Sequence, residues 1–244
     1  SYHADISVYD ASMIANFRQR FMGDTERIRM GILFPDETAM PNSSLAHYLA
    51  LAMEHFGTHD SHYLLTENGM DQIRLLTELA HAETSGEPYA LLGASYSFVH
   101  LMDEMRVLGE SAELPAGSRI LDTGGFKGQS RELDLDEFYQ KLSSIFYVPR
   151  DLCINMYGMT ELSTQFYDWG NQTCPSVKSG PHWIRTRAIN PLTGQDVPRG
   201  EAGVLVHCDL AHFNIVSTIL TEDAGIKVKD GFLLLGRADG AEAK

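Results

Sequence analysis

Apolar residues recur along this chain in two different rhythms, and the change of rhythm divides it. From about Ile28 to Tyr167, short apolar runs alternate with longer stretches in which apolar residues return every three or four positions. Residues 29–34, 62–65, 89–92, 119–121 and 152–155 are the short runs and predict strands. Residues 45–56, 71–83, 98–108 and 135–146 carry helical spacing. Asp71 and Asp134 stand where helix N-caps belong, and Asn42-Ser43-Ser44 reads as another cap region. A short side-chain oxygen at such a position accepts from a backbone N–H that has no partner inside the helix. Alternation of this kind predicts a mainly parallel sheet covered by helices.

After Gly170 the spacing shortens. Residues 182–189, 203–208, 215–220, 226–228 and 232–235 predict strands. Asn190-Pro191, Thr193-Gly194, Pro198-Arg199-Gly200 and Asp230-Gly231 separate them with turn chemistry, and the last pair predicts a hairpin. The expected fold class is α/β: a body over residues 1–170, then a smaller β-rich subdomain over 171–244. No internal repeat or low-complexity tract interrupts this plan.

Composition narrows the function classes. At 244 residues, with 43% hydrophobic and 21% charged residues, the chain has the make-up of a soluble globular protein with ample core. A formal net charge of −14 argues against a nucleic-acid-binding surface. Cys153, Cys174 and Cys208 are too few and too scattered for a disulfide framework, which predicts a reducing, cytoplasmic setting. No apolar run of membrane length and no signal-like start is present in the sequence, so no membrane partner is expected.

The densest chemistry lies at Asn155-Met156-Tyr157-Gly158-Met159-Thr160-Glu161. Apolar Leu152-Cys153-Ile154 runs into it and Leu162 to Tyr167 can continue as a helix, so the expectation is strand, tight turn, helix start. Such a turn aims backbone N–H groups and a helix dipole at one spot, which suits a phosphate. Tyr157 offers a flat face for a base, Thr160 a hydroxyl for a phosphate oxygen, and Glu161 a hard oxygen for magnesium. A plain turn with a helix cap is the competing reading, because Tyr, Gly, Thr and Glu are all common at such junctions.

Asn-x-Tyr-Gly-x-Thr-Glu resembles the core signature of the adenylate-forming (acyl- and aryl-activating) enzymes, which make an acyl-AMP from a carboxylic acid and ATP. Upstream, Leu121-Asp122-Thr123-Gly124-Gly125-Phe126-Lys127-Gly128 is similar to the glycine loop of that superfamily. Downstream, Leu235-Gly236-Arg237-Ala238-Asp239-Gly240 is similar to its interdomain hinge. The Gly-Gly-aromatic-Lys-Gly loop, and Pro41-Asn42-Ser43-Ser44-Leu45 ahead of a helix and Phe56-Gly57, resemble the acyl-protein synthetases of bacterial bioluminescence (LuxE-like proteins).

The resemblance implies the core of a large N-terminal ligase domain, using ATP (or AMP) and Mg2+. It implies a carboxylic, and in this branch fatty, acid as substrate. A thiol acceptor would follow, either a protein cysteine or coenzyme A, with an acyl-reductase as partner in the first case. It further implies that Tyr157 stacks on adenine, Thr160 touches the α-phosphate and Glu161 holds magnesium, making Thr160 and Glu161 the catalytic pair. Asn155, Gly158 and Met159 complete the nucleotide-binding turn. Gly124 and Gly125 let backbone approach the nucleotide, with Phe126 and Lys127 bordering the acyl carboxylate. Asp223 accepts from the ribose hydroxyls, and Arg237 contacts ribose or phosphate.

Four features depart from that pattern. Glu222 precedes Asp223 where the family has glycine, and Gly240 replaces a second acid after Asp239. No Ser/Thr/Gly-rich phosphate loop is found, and the sequence ends just past the hinge, before a small C-terminal domain with its lysine. The expectation is the middle of an enzyme, poorly active alone. Two rivals stand beside it. Gly93-Ala94-Ser95-Tyr96-Ser97 is close to a hydrolase nucleophile elbow but lacks its last glycine, with Asp122 and then His182, His207 or His212 following in hydrolase order. A non-catalytic nucleotide- or acyl-binding module is the other.

Overall fold

In the computed structural model, residues 5–67, 69–126 and 130–238 are described, and they fall into two compact units. The larger holds Phe17–Met156 and Trp169–Cys174. The β-rich unit holds residues up to Asn16, Tyr157–Asp168 and Pro175 onward. The division is therefore not one cut near residue 170: the β-rich unit also recruits an N-terminal segment and the stretch after the motif strand.

The helices are α1 (Ile6–Phe17), α2 (Ser44–Phe56), α3 (Gln72–Ser85), α4 (Ser95–Leu108) and α5 (Leu135–Phe146). Ser43, Asp71 and Asp134 cap α2, α3 and α5, accepting from the N–H groups of Ala46, of Arg74, and of Asp136 and Glu137 respectively. The larger unit contains β1 (Arg29–Leu33), β2 (His62–Tyr63), β3 (Leu65–Thr66), β4 (Gly69–Met70), β5 (Tyr89–Ala94), β6 (Arg119–Thr123) and most of β7 (Cys153–Tyr157). Five of these run side by side in the order β2-β1-β5-β6-β7, every pairing parallel. β3 and β4 form a small antiparallel hairpin. All six residues of β5 are buried, as a central parallel strand covered on both faces requires. Tyr89, Phe98, Phe138, Leu142 and Phe146 anchor the core there. These strands and helices follow the predicted alternation closely.

The β-rich unit adds β8 (Phe166–Tyr167), β9 (Val177–Lys178), β10 (Ile184–Ile189), β11 (Ala202–Asp209), β12 (Thr218–Lys227) and β13 (Phe232–Arg237). Its sheet runs β10-β11-β12-β13-β9, antiparallel throughout. Val228 N–H donates to Gly231 C=O at 3.0 Å, closing the Asp230-Gly231 hairpin. Two strands predicted over 215–220 and 226–228 are instead the one strand β12, which carries Glu222 and Asp223 inside it. A bulge interrupts the β12–β13 ladder: Gly225 faces Leu234, but Ala224 faces Gly236, so Leu235 is the extra residue. Gly236 has φ 105°, a conformation that side chains resist. Tyr157, Leu162, Phe166, Ile184, Leu205 and Phe232 form this unit's core. Among the described residues, no helix is long and apolar enough to cross a membrane.

Candidate functional site

Within the β-rich unit, Tyr157 ends β7 with its ring packed in the core and only 8% of the residue exposed. Ring centroids lie 5.9 Å from Phe166, 5.8 Å from His207 and 5.8 Å from Phe232. The phenol donates to Asp223 Oδ2 at 2.7 Å. Burial, reinforced by the Asp223 charge, pushes this phenol far above its ordinary range, so it stays a donor. Asp223 and Arg237 face each other across β12 and β13. Arg237 Nε lies 3.7 Å from Asp223 Oδ1, while its Nη1 lies 3.0 Å from Glu222 Oε2. The structure thus joins three predicted residues (Tyr157, Asp223 and Arg237) to Glu222, which the sequence marks only as a departure.

Beside Tyr157 sits His207, fully buried, its Nδ1 2.9 Å from the Thr186 hydroxyl and its Nε2 3.5 Å from the Tyr157 phenol. Burial pulls this imidazole down from 6.5 to about 4, leaving it neutral at neutral pH. In the sequence it stands only as a candidate hydrolase histidine. Only its place in an otherwise apolar strand, Val204-Leu205-Val206-His207, hints at a core position.

The turn itself departs from expectation. Gly158 and Thr160 are exposed, Met159 packs on the core, and the Thr160 hydroxyl donates to Glu161 Oε2 at 3.1 Å. No helix follows. Ser163 N–H and the Thr164 hydroxyl donate to the buried Asp209 at 2.9 and 2.8 Å, and Tyr167 then pairs with Ser179 through two backbone hydrogen bonds. Asp209, distant in sequence, captures the groups that would have started a helix. The turn therefore presents side chains and local N–H groups but no helix dipole.

In the larger unit, Gly124 and Gly125 leave β6 exposed to solvent. Gly124 has φ 80°, and among the described residues a Cβ at either glycine would meet nothing within 4 Å. Phe126 turns inward onto Phe138, ring centroids 5.1 Å apart. Lys127 lies outside the described residues, as do Gly128, Asp239 and Gly240. Beneath the glycines is Asp122, 1% exposed. It accepts from Ser95 Oγ at 2.7 Å, Asn155 Nδ2 at 2.9 Å and the Tyr139 phenol at 2.9 Å. Ser95 Oγ also lies 3.0 Å from the Thr123 carbonyl and 3.3 Å from that of Gly124. Asn155 thus donates to Asp122 across the paired strands β6 and β7, toward their carboxyl ends.

That network also answers the hydrolase rival. Ser95 is 2% exposed, and its hydroxyl is shared among a carboxylate and carbonyls; among the described residues no histidine bonds to it. A serine nucleophile needs a base on its hydroxyl and open space before it. Nor do histidines gather a metal: among the described residues no three His, Cys, Asp or Glu side chains are grouped for one. His62 is instead bound to Glu78 at 2.8 Å.

Comparison with known proteins supplies a family and a shared fold. The family model described as acyl-protein synthetase, LuxE, matches residues 25–237. A long-chain-fatty-acid–luciferin-component ligase of Vibrio harveyi is 26% identical over 216 residues, which is 86% of this chain and 55% of that protein. Its counterpart from Aliivibrio fischeri is 26% identical over 217 residues, with the same coverage of 86% and 55%. The chain spans about half the length of these curated relatives. Among solved structures, ATP-bound MatB from Rhodopseudomonas palustris superposes with TM-score 0.65 at 15% identity, covering 94% of this chain and 44% of that one. A long-chain-fatty-acid-CoA ligase (FadD1) from Archaeoglobus fulgidus gives TM-score 0.64 at 14% identity, covering 94% and 47%. Those two likenesses establish a shared fold.

Proposed function

The chain belongs to the LuxE acyl-protein synthetase family, and from that membership we propose that it forms the core of an enzyme that activates a fatty acid as its acyl-adenylate. The carboxylate oxygen attacks the α-phosphorus of ATP, the bond from that phosphorus to pyrophosphate breaks, and the acyl group then passes from AMP to a thiol. The relatives' names point to a long-chain acid. The acceptor in this reading is a protein cysteine, with a reductase consuming the acyl group, and the setting is the cytoplasm.

Asp223 receives the ribose hydroxyls, and Arg237 lies against ribose or phosphate. The exposed Thr160 hydroxyl meets the α-phosphate, while Gly158 and Met159 shape the turn. Tyr157 is 8% exposed, so its contribution to adenine is a ring edge and its stronger role is to fix Asp223. Gly124 and Gly125 leave room for a ligand to approach the backbone, with Lys127 bordering the acyl carboxylate. Asn155 and Phe126 support that loop from below. The partly exposed Glu161 supplies one hard carboxylate, which fits Mg2+, a cation that takes few protein ligands and completes its shell with phosphate and water. When bound, the metal would offset charge building on the phosphate oxygens.

One observation carries this reading: Tyr157 and Arg237, from two separate motifs, both approach the Asp223 carboxylate, at 2.7 and 3.7 Å. Calorimetry with AMP on wild type and Asp223→Ala tests it. Binding at least about tenfold weaker in the variant is expected, since a carboxylate–hydroxyl pair contributes roughly 1.5–3 kcal/mol. Equal affinity with an intact fold by circular dichroism would refute it.

A further inference from the structure

Glu222 occupies the position where the resemblance places glycine, and its contacts give it work. Neighbouring residues of a strand leave it on opposite faces, so Glu222 and Asp223 diverge from β12. The bulge sets Arg237 opposite Asp223, yet the guanidinium makes its shorter contact with Glu222, at 3.0 Å. Its 3.7 Å approach to Asp223 Oδ1 is too long for a hydrogen bond. An arginine facing a lone carboxylate normally closes onto it with two parallel hydrogen bonds. Here a second acid draws it aside. Asp223 Oδ2 is already engaged by the Tyr157 phenol, so Oδ1 is the oxygen that remains for a ligand.

We propose that Glu222 is a positioning residue that holds Arg237 off Asp223 and keeps Asp223 Oδ1 open to a vicinal diol, the feature that marks a ribonucleotide. The ligand class rests on the nucleotide reading given above; the hold on Arg237 rests on the contacts alone. Removing the Glu222 charge lets Arg237 collapse onto Asp223, and the diol must then displace it. Glu222 therefore favours ribose over deoxyribose without touching either.

Glu222→Gln, close in size and uncharged, tests both parts. The first measurement needs no nucleotide: exchange of the Arg237 Nε–H with solvent, followed by 15N NMR in wild type and variant. Slower exchange in the variant is expected, as Nε–H comes to donate to Asp223. Unchanged exchange would overturn the inference. The second measurement is calorimetry with AMP and 2′-deoxy-AMP. AMP should bind about threefold more weakly to Glu222→Gln, the scale of one exposed ion pair, with 2′-deoxy-AMP little altered. In an Arg237→Gln background the same substitution should change nothing, since its effect runs through the arginine. Tighter AMP binding by Glu222→Gln would mean that Glu222 competes with the ligand, and would overturn the proposal. Slower exchange in a protein that binds no AMP would leave the hold on Arg237 standing and bring down the nucleotide reading.

Discussion

Two aspartates, one in each unit, meet a tyrosine phenol in the same way and are put to opposite uses. Asp122 takes the Tyr139 phenol at 2.9 Å, Asp223 the Tyr157 phenol at 2.7 Å. Asp122 is 1% exposed, with serine and asparagine filling its other acceptor positions. Asp223 keeps 14% of its side chain exposed, and the charge nearest its other oxygen stands 3.7 Å away. Sealed from water, a carboxylate with its donors fixes the architecture around it, because any unmet acceptor there is costly. Left partly open, the same group retains capacity for a ligand. On the proposed function, solvent access rather than residue type separates scaffold from site.

The sharpest way to break that contrast is to delete each carboxylate. Asp122→Ala should lose about 3 kcal/mol of stability in chemical denaturation, because the buried Tyr139 phenol loses its carboxylate acceptor while Ser95 and Asn155 fall back on backbone carbonyls. Asp223→Ala should lose only about 1 kcal/mol, the worth of the Tyr157 hydrogen bond, as a partly open site can rehydrate. Similar losses in both would erase the distinction.

Acidification probes the support behind Asp223. Folding lowers the His207 pKa from 6.5 to about 4, so between those values the unfolded chain binds the proton and the native one does not. Stability contributed by the neutral ring is complete above about pH 6.5 and declines as pH falls toward 4, by about 3 kcal/mol in all. A His207→Asn variant should show a flatter stability profile across that window. Identical profiles would remove His207 from the account.

A finer comparison removes only the phenol oxygens. Tyr139→Phe and Tyr157→Phe should each cost about 1 kcal/mol of stability, the usual net worth of one hydrogen bond. Only Tyr157→Phe should also weaken AMP, by severalfold, in a calorimetric titration. Weakening by Tyr139→Phe would place Asp122 in the site after all. The smallest effect marks the baseline: Lys141→Ala breaks an exposed pair with Glu137 one helical turn away and should shift stability by roughly 0.3 kcal/mol.

Much of the larger unit could be read from the chain because its elements obey a single period each. α5 runs from Leu135 to Phe146 as its spacing predicts, and the acid before it is its cap. α1 escaped because its buried face mixes Tyr9, Met13 and Phe17 with Ser12 and Asn16. Those polar residues are buried for their partners, Thr164 and the Gln165 carbonyl, which no local pattern reveals. A helix after Glu161 was expected on propensity and lost to Asp209, more than 40 positions away. β12 reads in the sequence as two strands because acidic residues such as Glu222 and Asp223 are depleted within sheets. Of the candidate site, the resemblance gave Tyr157, Asp223 and Arg237 separate ligand contacts, and the bond that joins the phenol to Asp223 was not among its implications. Glu222, Asp122 and Ser95 were visible as residues but not as contacts, since their roles depend on which strands lie side by side.

The bulge on β13 has a meaning in the currency of insertions and deletions. With Leu235 paired regularly, the ladder from Gly225 and Leu234 would bring Arg237 opposite Glu222 and onto the outer face. Because Leu235 is skipped, the arginine faces Asp223 instead. One residue of slack thus works as a parity bit. A lineage could exchange the acid that its arginine addresses by gaining or losing a single codon near Gly236, with every charged residue left in place.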